Sequence, residues 1–147
     1  MLRMLPAIAW FVSLCSLALL DARRDAVRIV EEWSKAFTDS NVDAVVNLYA
    51  PDALFLGTGS RSVGLSSNAI RKYFEQALRT NTPRTAEIAT QSTMVLSASV
   101  VIVAGIDTMT ETRDGRQFST NGRVTFVIAK RGAEWRIVHF HRSAMPN

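Results

Sequence analysis

The C-terminal segment of the chain carries the residues whose types and spacing are best suited to chemistry. His139, His141 and Arg142 lie within a run of β-branched and aromatic residues from Trp135 to Ser143, a composition typical of a strand. Imidazoles bind metals or move protons near neutral pH, and a guanidinium binds carboxylates or phosphates. The element that positions these groups therefore decides which chemistry is open to them.

Side chains alternate between the two faces of a strand, which divides this segment into an outer and an inner set. The predicted outer set consists of Trp135, Ile137, His139 and His141. The predicted inner set consists of Arg136, Val138, Phe140 and Arg142. On the preceding strand an apolar row shares one face and consists of Val124, Phe126 and Ile128. We expect Val138 and Phe140 to pack against that row, and the histidines to lie on the outer face.

Arg142 continues the inner row, so its partner must be found. An unpaired buried charge costs several kcal/mol. Water at the mouth of the fold, an anion in a pocket or an internal carboxylate would each satisfy the guanidinium. The sequence leaves these three environments open.

The two histidines do not by themselves predict a metal site. Zinc takes about four ligands, and no further histidine or acidic residue stands beside His139 and His141 in a matching pattern. The single cysteine, Cys15, lies in the N-terminal segment, which removes disulfides and thiol chemistry from the rest of the chain. No nucleotide or flavin fingerprint is present. We expect neither a metal nor a cofactor.

Size and composition indicate one folded domain. The chain has 147 residues, of which 48% are hydrophobic and 20% are charged, values that allow a buried core and argue against disorder. Its formal net charge of +4 comes from arginines scattered among acids. A nucleic-acid-binding protein usually gathers its basic residues on one face, so we expect no nucleic-acid partner.

The first 22 residues differ in composition from the rest. Arg3 precedes an apolar stretch over residues 4–20, which is the layout of a signal peptide with a cut after Ala18 or Ala22. An uncleaved membrane anchor and a misassigned start codon are the alternatives. We expect export to the periplasm or outside the cell, with a membrane tether if the segment is retained. A lipid attachment site at Cys15 is disfavoured by the large residue before it.

Hydrophobic periodicity predicts helices first and strands afterwards. Helices are expected over Asp25–Phe37 and Val42–Tyr49, ended by Pro51, and a third is expected to begin at a cap on Ser66 or Ser67. Strands are expected over Ala53–Thr58, Ala86–Ala98, Val100–Thr112, Gln117–Ala129 and Trp135–Ser143. Asp114-Gly115 and Arg131-Gly132 are typical of the turns between the last strands. This order favours an α+β fold with the helices on one face of the sheet.

Several segments resemble a known family. Trp135 to Ser143 resembles the closing strand of the association, or hub, domain of calcium/calmodulin-dependent protein kinase II, and Arg71 to Glu75 resembles part of its second major helix. The layout of Leu48 to Ala53 and of Ser143 to Pro146 is similar to bacterial SnoaL-like and steroid-isomerase-like proteins. The resemblance covers Ala26 to Pro146.

This resemblance implies the cone-shaped α+β fold of the nuclear transport factor 2-like superfamily, also called cystatin-like. In that fold a curved antiparallel sheet wraps around N-terminal helices, here over residues 25–147. The resemblance also implies a homodimer or higher oligomer formed through the outer sheet face, and a ligand pocket inside the cone. The candidate pocket residues are Arg142, Tyr49, Tyr73, Trp33 and Phe126. Kinase motifs are absent from the sequence.

The pocket of the kinase hub is only partly matched. Arg142 corresponds to one of its anion-binding arginines, whereas Phe126 stands at the position of a second arginine and Ile70 at that of a histidine. Arg123 would supply a substitute charge only if a bulge turned it inward.

Ketosteroid isomerases of the same superfamily use a carboxylate base and a tyrosine. The resemblance places Gly57 and Trp33 at those two positions, so we assign no catalytic residue.

Three functions follow as expectations. The first is a non-catalytic, exported, oligomerising domain whose pocket takes a small ligand, with acidic molecules among the candidates. The second is an isomerase, cyclase or dehydratase with acid–base groups drawn from Tyr49, Asp52, Tyr73 and His141, although Asp52 is expected to cap a turn or pair with an arginine. The third is a purely structural oligomerisation module with a collapsed cavity.

Overall fold

The computed structural model describes the backbone of residues 7–78 and 84–146, and side chains from residue 16 onward except that of Thr90. The basic start at Arg3 and the side chain of Cys15 lie outside the described residues. The described elements are α1 (Ala7–Thr38), α2 (Val42–Asn47), β1 (Tyr49–Leu56), α3 (Ser67–Ala77), β2 (Arg84–Ser97), β3 (Val100–Arg113), β4 (Arg116–Arg131) and β5 (Glu134–Ala144).

The five strands form one sheet in the order β1-β5-β4-β3-β2. Strands β2 to β5 are an antiparallel meander, and β1 pairs with β5 in parallel. The helices cover the inner face, and an aromatic cluster fills the space between the two layers. At its centre Trp33 of α1 lies 5.4 Å from Phe126 and 5.3 Å from Phe140, measured between ring centroids. The predicted α+β class is confirmed.

Helix α1 contains the predicted apolar stripe. Ala26, Ile29, Val30, Trp33 and Phe37 are all at most 5% exposed, as their spacing on one face of a helix requires. The helix begins well before the predicted start at Asp25, and α1 includes part of the predicted export segment. Within the described residues, no helix is long and apolar enough to cross a membrane.

Helix α2 is shorter than predicted. It ends at Asn47, Leu48 forms the C-cap, and Tyr49 already belongs to β1. Pro51 therefore does not end the helix but lies inside β1. A proline is tolerated there because β1 is an edge strand, where a missing N–H breaks no interior ladder.

Helix α3 begins as predicted. The Ser66 hydroxyl accepts a hydrogen bond from the Ala69 N–H at 3.2 Å, and Ile70 and Phe74 are buried. The predicted turns are also confirmed, with positive φ at Gly115 and Gly132, where glycine is favoured because it lacks a Cβ.

The predicted alternation along β5 is wrong at its start. Trp135 and Ile137, expected outside, are 7% and 0% exposed, and Val138, expected inside, is only half-buried. The cause is a shift in the pairing of β5 with β4, where Ile128 lies opposite Ile137 but Val127 lies opposite His139. One extra residue in β5 makes this β-bulge and reverses the side-chain parity. Alternation resumes after it.

Candidate functional site

Arg142 is paired with an internal carboxylate. Its Nε donates to Asp107 Oδ2 and its Nη2 to Asp107 Oδ1, both at 2.7 Å. The Arg142 and Asp107 side chains are 8% and 2% exposed. The remaining Nη1 donates to the Thr58 hydroxyl at 2.8 Å. Of the three environments left open by the sequence, the structure therefore selects the internal carboxylate.

The strand register explains how the two charges meet. Asp107 on β3 lies opposite Gly122 on β4, and Arg142 on β5 lies opposite Val124. The Arg142 side chain must cross β4 diagonally, and it does so over Gly122. A Cβ at that position would lie 2.5 Å from Nη2 and 2.6 Å from Cζ of Arg142. The absent side chain of Gly122 thus makes room for the ion pair.

Asp107 was not identified from the sequence, although a signal was available. It follows a run of apolar residues at the start of β3, and it shares parity with the buried Val101 and Val103. A carboxylate at an inward position is expensive unless it is paired. Because an inward carboxylate needs a cation and Arg142 was also expected to point inward, the two residues could have been predicted to pair.

A cavity of about 110 Å³ lies beside this ion pair, between α1, α3 and the inner sheet face. Its described wall is largely aromatic and includes Trp33, Tyr73 and Phe140, with guanidinium groups from Arg84 and Arg142. Three of the five candidate pocket residues therefore line it. Small size and an aromatic wall restrict any occupant to a few heavy atoms.

Tyr49 and Phe126 do not line this cavity. The Tyr49 hydroxyl accepts a hydrogen bond from Trp33 Nε1 at 2.9 Å in the core, and burial raises the pKa of Tyr49 well above its ordinary value. Phe126 is fully buried and packs edge-on against Phe140 at 5.1 Å. Both side chains act as packing behind the wall, and Tyr49 also borders a surface cleft of about 600 Å³.

The surrounding structure explains why position 57 is a glycine. A Cβ at this position would lie 2.3 Å from Cζ and 2.4 Å from the hydroxyl oxygen of Tyr73. The ring of Tyr73 occupies the space that a larger residue at position 57 would need. An aspartate at position 57, where the isomerases have their base, would therefore clash with Tyr73 in its observed position.

A second group of charges lies at the open end of the sheet. Arg84 of β2 and Arg113 of β3 both donate to Glu111, at 3.0 and 2.7 Å. These hydrogen bonds lower the pKa of Glu111 to about 2, and the bond from Arg113 makes the largest contribution. Among the described residues, Arg84 Nε is buried without a hydrogen-bond partner. This cluster borders a second cavity of about 280 Å³ that also contains Phe118.

The alternative acid–base set is not assembled. Asp52 is exposed and lies 3.8 Å from Arg131, and Tyr49 is bonded to Trp33. His141 is exposed on the outer face. Only Tyr73 of that set lines the cavity, and the described residues contain no group of three or more side chains able to hold a metal.

The outer sheet face carries a row across all five strands in which four side chains are apolar and one is a histidine. In register from β1 to β2, the row consists of Leu54, His139, Val127, Ile102 and Met94. Its edge residues Leu54 and Met94 are 46% and 62% exposed. We call this row the outer row. Arg123 also faces outward and is exposed, so it supplies no charge to the interior.

Comparison with known proteins relates this geometry to a family. The sequence model of the calcium/calmodulin-dependent protein kinase II association domain matches residues 22–146. The chain belongs to this family. A structure from Xanthomonas campestris, named as such an association domain, is 33% identical over 84% of this chain and 87% of its own, with a TM-score of 0.76.

More distant structures share the fold alone. A protein from Novosphingobium aromaticivorans named as a scytalone dehydratase is 12% identical, with 89% of each chain covered and a TM-score of 0.78. A ketosteroid isomerase-like protein from Erwinia carotovora atroseptica is 18% identical over 85% of this chain and 97% of its own, with a TM-score of 0.71. Two other structures, 18% and 12% identical to this chain, are named as nuclear transport factor 2-like proteins, the second with a cystatin-like fold. No curated protein matches the sequence.

Proposed function

We propose that this chain is a non-catalytic association domain that binds a second copy of itself through the outer face of its sheet. The observation that carries the proposal is the outer row, which places four apolar side chains and His139 side by side across five strands. Exposed apolar bands of this kind mark interaction surfaces in soluble proteins. Membership of an association-domain family supports a second copy of the chain as the partner.

The distribution of polarity on the outer face supports the same arrangement. Toward the β3–β4 hairpin the face becomes polar, and its side chains hydrogen-bond to one another. Thr108 donates to Asn121 at 3.0 Å, and the hydroxyls of Thr110 and Ser119 lie 2.9 Å apart. A two-fold dimer uses the same patch on both copies, so an apolar patch bounded by polar residues is self-complementary.

The interior cavity supports a smaller role for ligand binding. Both guanidinium groups in its wall already have carboxylate partners, Arg142 with Asp107 and Arg84 with Glu111. An acidic ligand that displaced Asp107 would leave a buried carboxylate without its partner, whereas Arg84 Nε has no hydrogen-bond partner among the described residues and is open to an acceptor. A small neutral molecule with one hydrogen-bonding group fits the charge balance of the cavity better than the acidic ligand expected from Arg142 alone.

The test is a charge placed in the centre of the outer row. Val127→Glu should convert a dimer into a folded monomer, or raise the dimer dissociation constant roughly 100-fold or more, because an unpaired buried charge costs several kcal/mol. Sedimentation equilibrium measures the association, and far-UV circular dichroism verifies the fold. The wild type should be dimeric or larger at micromolar concentration.

The matched control is Gln117→Glu. It adds the same charge to an exposed position on the outer face of β4, near the hairpin, and should leave the association unchanged. A wild type that stays monomeric at all concentrations would refute the proposal. Equal association of wild type and Val127→Glu would show that another surface forms the contact.

A further inference from the structure

Both histidines of the chain lie on the proposed interface. The sequence contains two, His139 and His141, and β5 directs both to the outer face. Histidine is the side chain whose ordinary pKa brings a charge change between about pH 5 and 8. Both imidazoles of this protein therefore lie on one surface.

The neighbours of the two imidazoles are mainly apolar. His139 lies between Leu54 of β1 and Val127 of β4 in the outer row, and it is half-buried. His141 lies in the next row, opposite Leu56 and Thr125. A second copy laid on this face would remove both imidazoles further from water.

Among the described residues, no free counter-charge stands beside the pair on the neighbouring strands. On β1, two residues before Leu54, Asp52 lies 3.8 Å from Arg131 of β4. On the other side of the pair, Arg123 of β4 lies opposite Ser143, two residues beyond His141. Protonated histidines would therefore meet another cation and an acid that already has a partner. In a two-fold dimer the same charges would also face their copies.

We propose that self-association through the outer row is pH-sensitive, with His139 and His141 as the sensors. The inference rests on the proposed function, because it assigns a regulation to the same interface. The dimer forms when both imidazoles are neutral and weakens as they gain protons. Acidification thus releases monomers without unfolding them.

The sign follows from the direction of the shift. Burial, and then the neighbouring His141, lower the pKa of His139 in the single chain, so its neutral form is favoured before association. Further burial in a dimer acts in the same direction. Each proton that must be released on association changes the dissociation constant by up to tenfold per pH unit. The association is then strongest above the free imidazole pKa and is lost as the pH falls.

The experiment is sedimentation equilibrium of the wild type at pH 7.5, 6.5 and 5.5, with circular dichroism at each pH. The dissociation constant is expected to rise at least tenfold between the first and the last pH. His139→Gln with His141→Gln removes both sensors and should associate with little change over the same range. Gln117→Glu, which leaves the imidazoles and the neighbouring Arg123 in place, should retain the pH response.

The outcomes separate the two proposals. A wild type that is dimeric at pH 7.5 and equally dimeric at pH 5.5 overturns the regulation and leaves the interface in place. An equal pH response in the double glutamine variant also overturns it, since the sensor would lie elsewhere. A wild type that is monomeric at pH 7.5 overturns both. If 1 M NaCl removes most of the pH response, repulsion between protonated imidazoles is supported.

Discussion

Asp107 and Arg142 each depend on the other to remain charged out of water. Their two parallel hydrogen bonds at 2.7 Å are the bidentate geometry that suits a guanidinium and a carboxylate. Gly122 permits the contact, because any side chain there would meet the guanidinium. Three residues on three strands thus form one unit, and a change in any of them affects the others.

At the residue scale we predict strong coupling in this unit. Asp107→Leu alone should lower the free energy of unfolding by about 3–5 kcal/mol, because it leaves a buried guanidinium without its partner. Adding Arg142→Met should restore most of the loss, since an apolar pair replaces the ionic one. Urea denaturation of both single variants and the double variant measures the coupling. Additive losses would contradict the predicted dependence.

Gly122→Ala supplies an independent check of the same unit. It should destabilise the wild type but have little effect in the Arg142→Met background, where no guanidinium meets the new methyl group. Gly59→Ala is the control, because its added Cβ would lie 3.9 Å from Cε2 of Tyr73, an ordinary contact distance.

Helix α1 shows how one element joins the predicted export segment to the core. The helix is continuous from Ala7 to Thr38, and its buried stripe already includes Ala22, which is 2% exposed. Next to it, Arg23 donates to the Thr93 carbonyl of β2 at 3.3 Å. By contrast, Leu17 and Leu20 are 54% and 63% exposed. The packed domain therefore begins near Ala22, between the two predicted cleavage positions.

At the element scale we predict that cleavage occurs after Ala18 and not after Ala22. A variant that begins at Leu19 should unfold at the same urea concentration as the full chain. The free energy of unfolding of a variant that begins at Arg23 should be lower by roughly 1 kcal/mol, because the methyl group of Ala22 is missing from the core. N-terminal sequencing of the protein purified from its host should find Leu19 first. Equal stability of both variants would remove the reason for this preference.

The whole molecule is held at its open end by charge as well as by packing. Glu111 joins Arg84 and Arg113, and its pKa is lowered from 4.5 to about 2 in the folded state. A carboxyl whose folded pKa is depressed contributes stability above its unfolded pKa, and that contribution is lost as the pH falls through the folded value. The relevant window is therefore from about pH 4.5 down to about pH 2.

At the scale of the whole molecule we predict a Glu111-dependent part of acid unfolding. The urea midpoint of the wild type should fall between pH 4.5 and pH 2 more steeply than that of Glu111→Gln, which has no carboxyl to protonate. Glu134→Gln, at an exposed position on β5, serves as the control and should follow the wild type. Parallel curves for the wild type and Glu111→Gln would contradict the lowered pKa.

Much of the fold could be predicted because its signals are local. The apolar stripe of α1, the Ser66 cap and the glycine turns each depend on a few neighbouring residues, and each appears in the structure. The outward direction of His139 and His141 was also predicted from alternation. The family resemblance of the closing strand agreed with these local signals and was confirmed by the match over residues 22–146.

The inner site could not be derived in the same way. Regular alternation was wrong for Trp135 and Ile137 because the bulge depends on how β5 pairs with β4, and no local pattern encodes that register. The partner of Arg142 lies 35 residues away on β3, and Tyr49 is bonded to Trp33 on another element. Sequence alone determined the order of the helices, strands and turns, but not where α1 begins or where α2 gives way to β1. Tertiary structure decided which charges and hydroxyls meet, because a buried polar group is costly without a partner and that partner lies on another element.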